Sequence, residues 1–219
     1  MLNGLFPKSV MITGEDPLLM QETLFPEEEA CIKDAVLKRR LEFIAGRVCA
    51  RRLLSKYGWS DYPIVTGKDR APIWPPEIVG SISHTEGFCG VAVALKASFS
   101  SVALDVECIG KMKRDIWKFI ATSSELNWIQ SLPECEQQKY AALIFSAKEC
   151  FYKCQYMIIK RWFDFHDVII SLSSDRSEFT VRSRDNTYLW DMIKLLRGKY
   201  IFHDRYVFTG MCILPPESM

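Results

Sequence analysis

From Glu134 to Lys160 the chain carries no glycine or proline, and Ala141, Ala142, Leu143, Ile144, Phe145, Ala147, Cys150 and Phe151 make a long apolar run within it. This pattern predicts one long helix with a buried side. Helical spacing then orders its polar residues. Glu149 and Lys153 share a face, with Lys148 about 100° away, so one carboxylate and two ammonium groups can meet a single ligand. An isolated Glu-to-Lys pair at this spacing is ordinarily a surface ion pair contributing only about 0.3–0.5 kcal/mol. The pair therefore needs a second feature before it implies chemistry.

Leu104-Asp-Val-Glu107 supplies that feature. Ser101, Val102, Ala103 and Leu104 lead into it as a strand, and period-2 alternation puts Asp105 and Glu107 on one face with Val106 on the other. Two carboxylates in one small volume resist joint ionisation unless a cation sits between them. Hard Mg2+ takes such oxygen ligands while keeping waters and phosphates. A divalent metal acting on a phosphate is the expectation.

A third cluster is basic: Lys38, Arg39, Arg40, Arg47, Arg51, Arg52 and Lys56 crowd one segment. Arg47 and Arg51 each fall about 20° from Arg40 on a helical wheel. Such a segment is either a solvated basic face or an anion pocket in which guanidinium forks hold phosphate.

Around these clusters the order of elements is legible. Ser9 to Thr13 reads as an edge strand. Pro26-Glu27-Glu28-Glu29 opens a helix, with proline in the first turn and acids at the positive end, and the pattern continues with a break to Tyr57 before Gly58. Gly67 to Pro76 is a turn-rich loop. Strand-like runs follow at 78–83, 89–96 and 101–107. Ser83-His84 ends the first of these, well placed to donate hydrogen bonds to phosphate. Gly110 to Arg114 is a short basic link where a second half begins. Thr122-Ser-Ser-Glu125 has the form of a capping box, the plain account of Glu125. Alternating runs at 167–172, 178–183 and 199–213 read as antiparallel strands after the long helix.

Composition narrows the class. A chain that is 48% hydrophobic and 25% charged has the profile of a globular protein, and a formal net charge of +1 argues against general nucleic-acid binding. No apolar run reaches the length of a membrane span, and the first residues lack the pattern of a secretory signal, so a cytoplasmic protein is expected. The cysteines sit mostly in apolar segments without a CxxC pair, and Cys150 and Cys154 lack a second pair of metal ligands. There is no GxxxxGK[ST] loop and no kinase-like glycine loop, which removes the commonest nucleotide-transferase alternatives.

The order and spacing of Gly80-Ser-Ile-Ser-His84, Leu104-Asp-Val-Glu107 and Phe145-Ser-Ala-Lys-Glu149 with Lys153 resembles the 4'-phosphopantetheinyl transferases of the surfactin and enterobactin type. Lys38-Arg-Arg-Leu-Glu-Phe-Ile-Ala-Gly-Arg47 resembles the arginine helix of that superfamily, Ala71-Pro-Ile-Trp-Pro75 its Pro-x-Trp-Pro turn, and Lys160-Arg161-Trp162 a further match. The resemblance covers roughly residues 36 to 170. It implies an α/β (α+β) fold of two similar lobes, 1–109 and 110–219. Each lobe is a small, mainly antiparallel sheet packed with helices, related by a pseudo-twofold with the active site between them.

The implied activity is Mg2+-dependent transfer of 4'-phosphopantetheine from coenzyme A to a serine of an acyl or peptidyl carrier protein, releasing adenosine 3',5'-bisphosphate. A secondary-metabolite synthase for a nonribosomal peptide, siderophore or polyketide would be served. The alternative is a catalytically silent module that binds coenzyme A and a carrier.

By resemblance, Asp105, Glu107 and Glu149 hold the metal, Glu149 is the base and Lys153 acts on the leaving phosphate. Arg39 and Arg47 grip the 3'-phosphate of coenzyme A, with Arg40 a further coenzyme A-binding residue. Ser83, His84 and Lys148 contact phosphate, and Lys68 or Arg70 stands in for the lysine that often precedes Pro72, where this chain has Ala71. Trp162 packs on the pantetheine arm or in the core, and Glu125 is a second-rank acid near the metal. The partner is an acidic helical carrier meeting residues 112–135, where Met112, Ile116, Phe119, Leu126 and Ile129 offer apolar contacts. No nucleic acid or membrane partner is expected, and the chain is expected to be a monomer.

Overall fold

The computed structural model describes residues 2–173, 175, 177–184 and 196–216. Among the described residues, eight strands form two antiparallel sheets. Met11–Glu15 (β1), Ile78–Thr85 (β2) and Phe88–Leu95 (β3) make the first, in the order β1-β3-β2. Ser101–Cys108 (β4), Val168–Leu172 (β5), Glu178–Ser183 (β6), Leu196–His203 (β7) and Tyr206–Ile213 (β8) make the second, in the order β4-β8-β7-β6-β5. Helices Pro26–Ala30 (α1), Leu37–Leu54 (α2), Trp117–Ile120 (α3), Ser123–Ser131 (α4) and Glu134–Ile159 (α5) cover them. The α/β class with two helix-packed antiparallel sheets is the one expected.

The long helix α5 runs as the glycine- and proline-free stretch predicts, and stops at Lys160, which takes a left-handed conformation at φ 55°. The predicted helix from Pro26 is two helices, α1 and α2, and α2 is closed by Gly58 at φ 84° after a short 3-10 turn. The strand-like run at 199–213 is a hairpin: β7 and β8 turn at Asp204, φ 51°, with His203 opposite Tyr206.

Strand β4 is the element that matters most for the site. Its backbone pairs with β8, Asp105 opposite Thr209 and Glu107 opposite Val207, so it completes the sheet of the chain's second half. Its other flank lies beside β2, where serine side chains bridge the two strands. Ser81 Oγ donates to Leu104 O at 3.2 Å, and Val106 N donates to Ser83 Oγ at 3.3 Å. The two sheets thus meet along a β2–β4 seam.

Alternation along β4 sends its two faces to two cores. Val102, Leu104 and Val106 enter a shared core with Val79, Ala92 and Phe208, drawn from both sheets. Ala103 faces the core built on α5, with Leu143, Ala147 and Phe151. Asp105 and Glu107, in phase with Ala103, therefore face α5. A third core packs α2 on the first sheet through Cys49, Leu53, Trp74 and Val91. Gly80 must be glycine at this packing: a Cβ there would lie 2.9 Å from both Ala92 O and the Trp74 indole. The Pro-Ile-Trp-Pro turn is in this way seated on the Gly-Ser-Ile-Ser-His strand. Among the described residues, no helix is long and apolar enough to cross a membrane.

Candidate active site at the seam of two sheets

The β2–β4 seam and α5 bring four of the expected residues together. Asp105 is buried, and its Oδ1 accepts from Ser83 Oγ at 2.8 Å and from Lys153 Nζ at 2.6 Å. Lys153 Nζ also donates to Ser83 Oγ at 3.0 Å. The other oxygen, Asp105 Oδ2, is buried without a hydrogen-bond partner. One turn back on α5, Glu149 lies near enough for its charge to act on Lys153 and Glu107.

His84, the next residue along β2, sits in a second cluster. Its Nδ1 lies 3.3 Å from Glu42 Oε2, and Arg39 Nη1 donates to its Nε2 at 2.5 Å. These partners assign the neutral tautomer with the proton on Nδ1. Burial lowers its pKa, with Arg39 and Lys153 adding to that effect against Glu42.

The remaining arginines divide. Arg40 pairs with Glu29 of α1, and Arg51 donates to the fully buried Glu28 at 2.9 Å, so both tie α1 to α2. Arg47 lies inside, its guanidinium 3.7 Å from the centre of the Phe43 ring, donating to Ile64 O at 2.9 Å and Thr66 Oγ1 at 3.1 Å. Burial lowers its pKa to about 10. Arg39, half exposed at the start of α2, is the member of this set that reaches the seam.

Two cavities flank α5. One, of about 230 Å3, is lined by Arg70, Ser81, Tyr152, Lys153, Tyr156 and Trp162 among others. The second, of about 360 Å3, is lined by Glu149, Tyr152, Trp162, Phe163 and Phe165 among others. Trp162 and Tyr152 line both, their ring centres 4.9 Å apart, so an aromatic wall separates the two spaces. Trp162 is 72% exposed, which decides against the core placement left open by sequence. Lys68 is exposed on the loop that carries Arg70, and Asp69 of that loop accepts from Lys160 Nζ at 3.1 Å.

Lys148 stands apart from the seam. It is 1% exposed, and its ammonium donates to Glu125 Oε2 at 2.7 Å, Phe165 O at 2.7 Å and Ile120 O at 2.9 Å. Three N–H donors meet three acceptors, leaving no proton for a phosphate in this arrangement. Glu125 caps α4 through Thr122 N at 2.7 Å, as the sequence pattern predicts, and also accepts from Ile170 N at 2.7 Å. It is an internal anchor rather than an acid beside the Asp105 cluster.

Comparison with known proteins identifies the family. Residues 27–94 match the 4'-phosphopantetheinyl transferase N-terminal domain, and residues 101–208 match the 4'-phosphopantetheinyl transferase superfamily. The chain is 34% identical to the 4'-phosphopantetheinyl transferase Npt of Nocardia iowensis, over 85% of this chain and 87% of that one. It is 36% identical to the 4'-phosphopantetheinyl transferase Svp of Streptomyces mobaraensis, over 77% of this chain and 68% of the relative. Enterobactin synthase component D of Escherichia coli is 34% identical over 61% of this chain and 63% of its own length.

The chain belongs to the 4'-phosphopantetheinyl transferase superfamily.

In this transferase two acids at the seam, Glu107 and Glu149, resist ionisation. Burial raises the Glu107 pKa to about 8, with Asp105 and Glu149 adding to the rise against Lys153. Burial likewise raises Glu149, with Asp105 in the same direction and Lys153 opposing. Burial works against the Lys153 charge too, but Asp105 and Glu149 outweigh it and its pKa rises. Among the described residues, no three His, Cys, Asp or Glu side chains are gathered as a ready metal cage. The donor set nevertheless fits a hard cation. It consists of carboxylates close enough for Asp105 and Glu149 to raise the Glu107 pKa, and it includes one buried carboxylate oxygen with no partner.

Sequence reasoning missed three parts of the site. Glu42, which orients His84, lies i+3 from Arg39, and that spacing signals a helical ion pair. Tyr152 and Tyr156, ring centres 5.7 Å apart, flank Lys153 at i,i+4 spacing that was legible in the sequence. The contact of Ser83 with Asp105 had no sequence signal, because it joins strands that are not hydrogen-bonded neighbours through their backbones.

Proposed function

We propose that this transferase moves 4'-phosphopantetheine from coenzyme A to a serine hydroxyl of an acyl or peptidyl carrier protein of a secondary-metabolite synthase. The observation that carries the proposal is the seam itself. It places Asp105 with an unpartnered buried oxygen, Glu107, Glu149 and the Lys153 ammonium beside His84 and Arg39.

Asp105, Glu107 and Glu149 are the residues that would hold Mg2+, which when bound neutralises pyrophosphate charge and orients the reacting groups in line. Arg39 and His84 bind phosphate, His84 by donating from Nε2 once Arg39 turns from the ring to the phosphate and Nε2 takes up a proton beside that anion. Arg70, which lines the same cavity as Lys153, and Lys68 of the same loop are further phosphate contacts, whereas Arg40 pairs with Glu29 and Arg47 with Ile64 O and Thr66, so those two would have to leave their partners to join. The wall of Trp162 and Tyr152 packs against the pantetheine arm and keeps it on the Glu149 side.

Glu149 takes the proton of the carrier serine as its oxygen bonds to the phosphorus that bears the arm. The bond from that phosphorus to the bridging oxygen breaks, and adenosine 3',5'-bisphosphate leaves with the electron pair. Lys153 stabilises that charge or donates a proton to it.

The carrier docks on the segment from Met112 to Leu126. Phe119 is 64% and Ile116 41% exposed there, and Lys118 stands over the Phe119 ring. Ile129 is excluded from that surface because it is a core residue. The basic residues Lys113, Arg114 and Lys118 suit an acidic partner. Every residue proposed for the reaction comes from one chain, which supports a monomer as the working unit. All eight cysteines are free, which supports a reducing, cytoplasmic setting. The lobes are residues 1–109 and 110–219, with β4 passing from the first into the sheet of the second.

The test is product release. With coenzyme A, Mg2+ and an unmodified peptidyl carrier domain, adenosine 3',5'-bisphosphate is expected to form in step with carrier consumed. Formation should stop with a chelator, with Glu149→Gln, or with a carrier whose acceptor serine is alanine. Release that continues with the serine-less carrier would show hydrolysis rather than transfer.

A further inference from the structure

The Ser83 hydroxyl is fully committed inside the protein. It is 4% exposed. Its single proton goes to Asp105 Oδ1 at 2.8 Å, and its oxygen accepts from Lys153 Nζ at 3.0 Å and from Val106 N at 3.3 Å. A serine has one donor and two lone pairs, and here all three are used. A phosphate oxygen needs a donor, and the only donor of this side chain is already given to a carboxylate.

The consequence falls on Asp105. With Ser83 and Lys153 both on Oδ1, the carboxylate has one rotational setting, and that setting leaves Oδ2 buried and unpartnered. An orphaned carboxylate oxygen in the interior is costly to hold, and the Ser83 contact is part of what holds it. The tie from Val106 N fixes Ser83 in turn, because that amide belongs to the strand that carries Asp105.

We propose that Ser83 is a positioning residue for the Asp105 carboxylate, presenting Oδ2 to the divalent cation across the seam between the two sheets, and not a ligand of the substrate phosphate through its side chain. The inference rests on the reading of Asp105 as a cation ligand. Partners of this kind, which orient a ligand without touching the metal, typically change metal affinity about 10–100-fold when removed.

Two binding measurements separate the roles. Mn2+, read by electron paramagnetic resonance, probes the cation site with and without coenzyme A, and calorimetric binding of coenzyme A in EDTA probes the phosphate contacts alone. Ser83→Ala is expected to weaken Mn2+ about 10–100-fold while coenzyme A affinity in EDTA stays within about twofold. Ser83→Thr, which keeps the hydroxyl, should restore Mn2+ binding. Ser83→Cys, which keeps the volume with only a weak donor, should behave as alanine does and serves if the alanine variant fails to fold. His84→Ala, which removes a proposed phosphate contact, should lose coenzyme A affinity in EDTA and so shows that this measurement responds.

Unchanged Mn2+ affinity in Ser83→Ala, with or without a fall in coenzyme A affinity, would overturn the assignment. Asp105→Asn distinguishes the underlying reading. If it binds Mn2+ as the wild type does, Asp105 is not a ligand. If it loses Mn2+ while Ser83→Ala does not, only the role of Ser83 fails.

Discussion

His84 is held neutral by where it sits. Burial lowers its pKa below the ordinary 6.5, and Arg39 on Nε2 reinforces that against Glu42 on Nδ1. The unfolded chain therefore takes up this proton at a higher pH than the folded one. Stability from His84 is complete above about 6.5 and is lost as pH falls through the lower folded value. An NMR titration of the imidazole should give a midpoint below 6.5, and a midpoint above it would place a dominant anion at the ring. Gly80 makes a second residue-scale claim. An added methyl meets the Trp74 indole and Ala92 O at 2.9 Å, so Gly80→Ala should cost about 1–3 kcal/mol. Urea denaturation checks this, and an unchanged midpoint would mean that the Trp74 turn is not tightly seated.

At the scale of elements, α5 carries two different kinds of charge on adjacent positions. Lys148 anchors α5 to α3, to Glu125 of α4 and to the backbone of Phe165, all out of water. Removing one partner of such a pair leaves the other buried and uncompensated, so Lys148→Met should cost about 3–5 kcal/mol. Lys148→Met with Glu125→Gln should recover part of that loss, and equal denaturation midpoints for wild type and Lys148→Met would contradict the anchor. The helix itself was legible end to end from its apolar run, as was the alternation that turns Asp105 and Glu107 to one face. The partners of Lys148 were not, because a wheel angle says which residues share a side and not which carbonyls lie opposite. The β7–β8 turn was hidden for a local reason: Asp204 makes it in a left-handed conformation with no glycine or proline to mark it. The pairing of β4 with β8 was hidden because a strand's partner is set by tertiary contacts far along the chain.

The acids between β4 and α5 make a further prediction. Glu107 titrates near pH 8 in the folded protein, chiefly through burial, with Asp105 and Glu149 adding. The folded state therefore holds that proton more tightly than the unfolded chain. Its stabilising contribution is full below the ordinary carboxylate value of 4.5 and is lost as pH rises toward about 8. Thermal melts of the metal-free protein across this window should fall more steeply for wild type than for Glu107→Gln. Added Mg2+ with coenzyme A should restore wild type most at the alkaline end, and binding should release protons only below about pH 8, where Glu107 still holds one. A melting temperature independent of pH in the metal-free protein would contradict the crowding of these carboxylates.

At the scale of the whole molecule, the two halves are joined by what they share. Val79 and Ala92 of the first sheet pack with Leu104 and Phe208 of the second. Tyr206 and Arg205 at the β7–β8 turn donate to Glu86 O at the β2–β3 turn. Lys160 reaches across to Asp69. The seam is consequently tied at several points, and it sets the proposed cation ligands Asp105 and Glu107 of β4 beside the proposed phosphate contact His84 of β2. The account's central claim is that this line performs phosphopantetheinyl transfer. The most direct measurement is the intact mass of an unmodified peptidyl carrier domain after incubation with the protein, coenzyme A and Mg2+, beside Glu149→Gln and a chelator control. The account predicts a gain of one phosphopantetheine that is absent from both controls. A carrier whose mass does not change, across peptidyl and acyl carriers and with coenzyme A bound tightly, would contradict it.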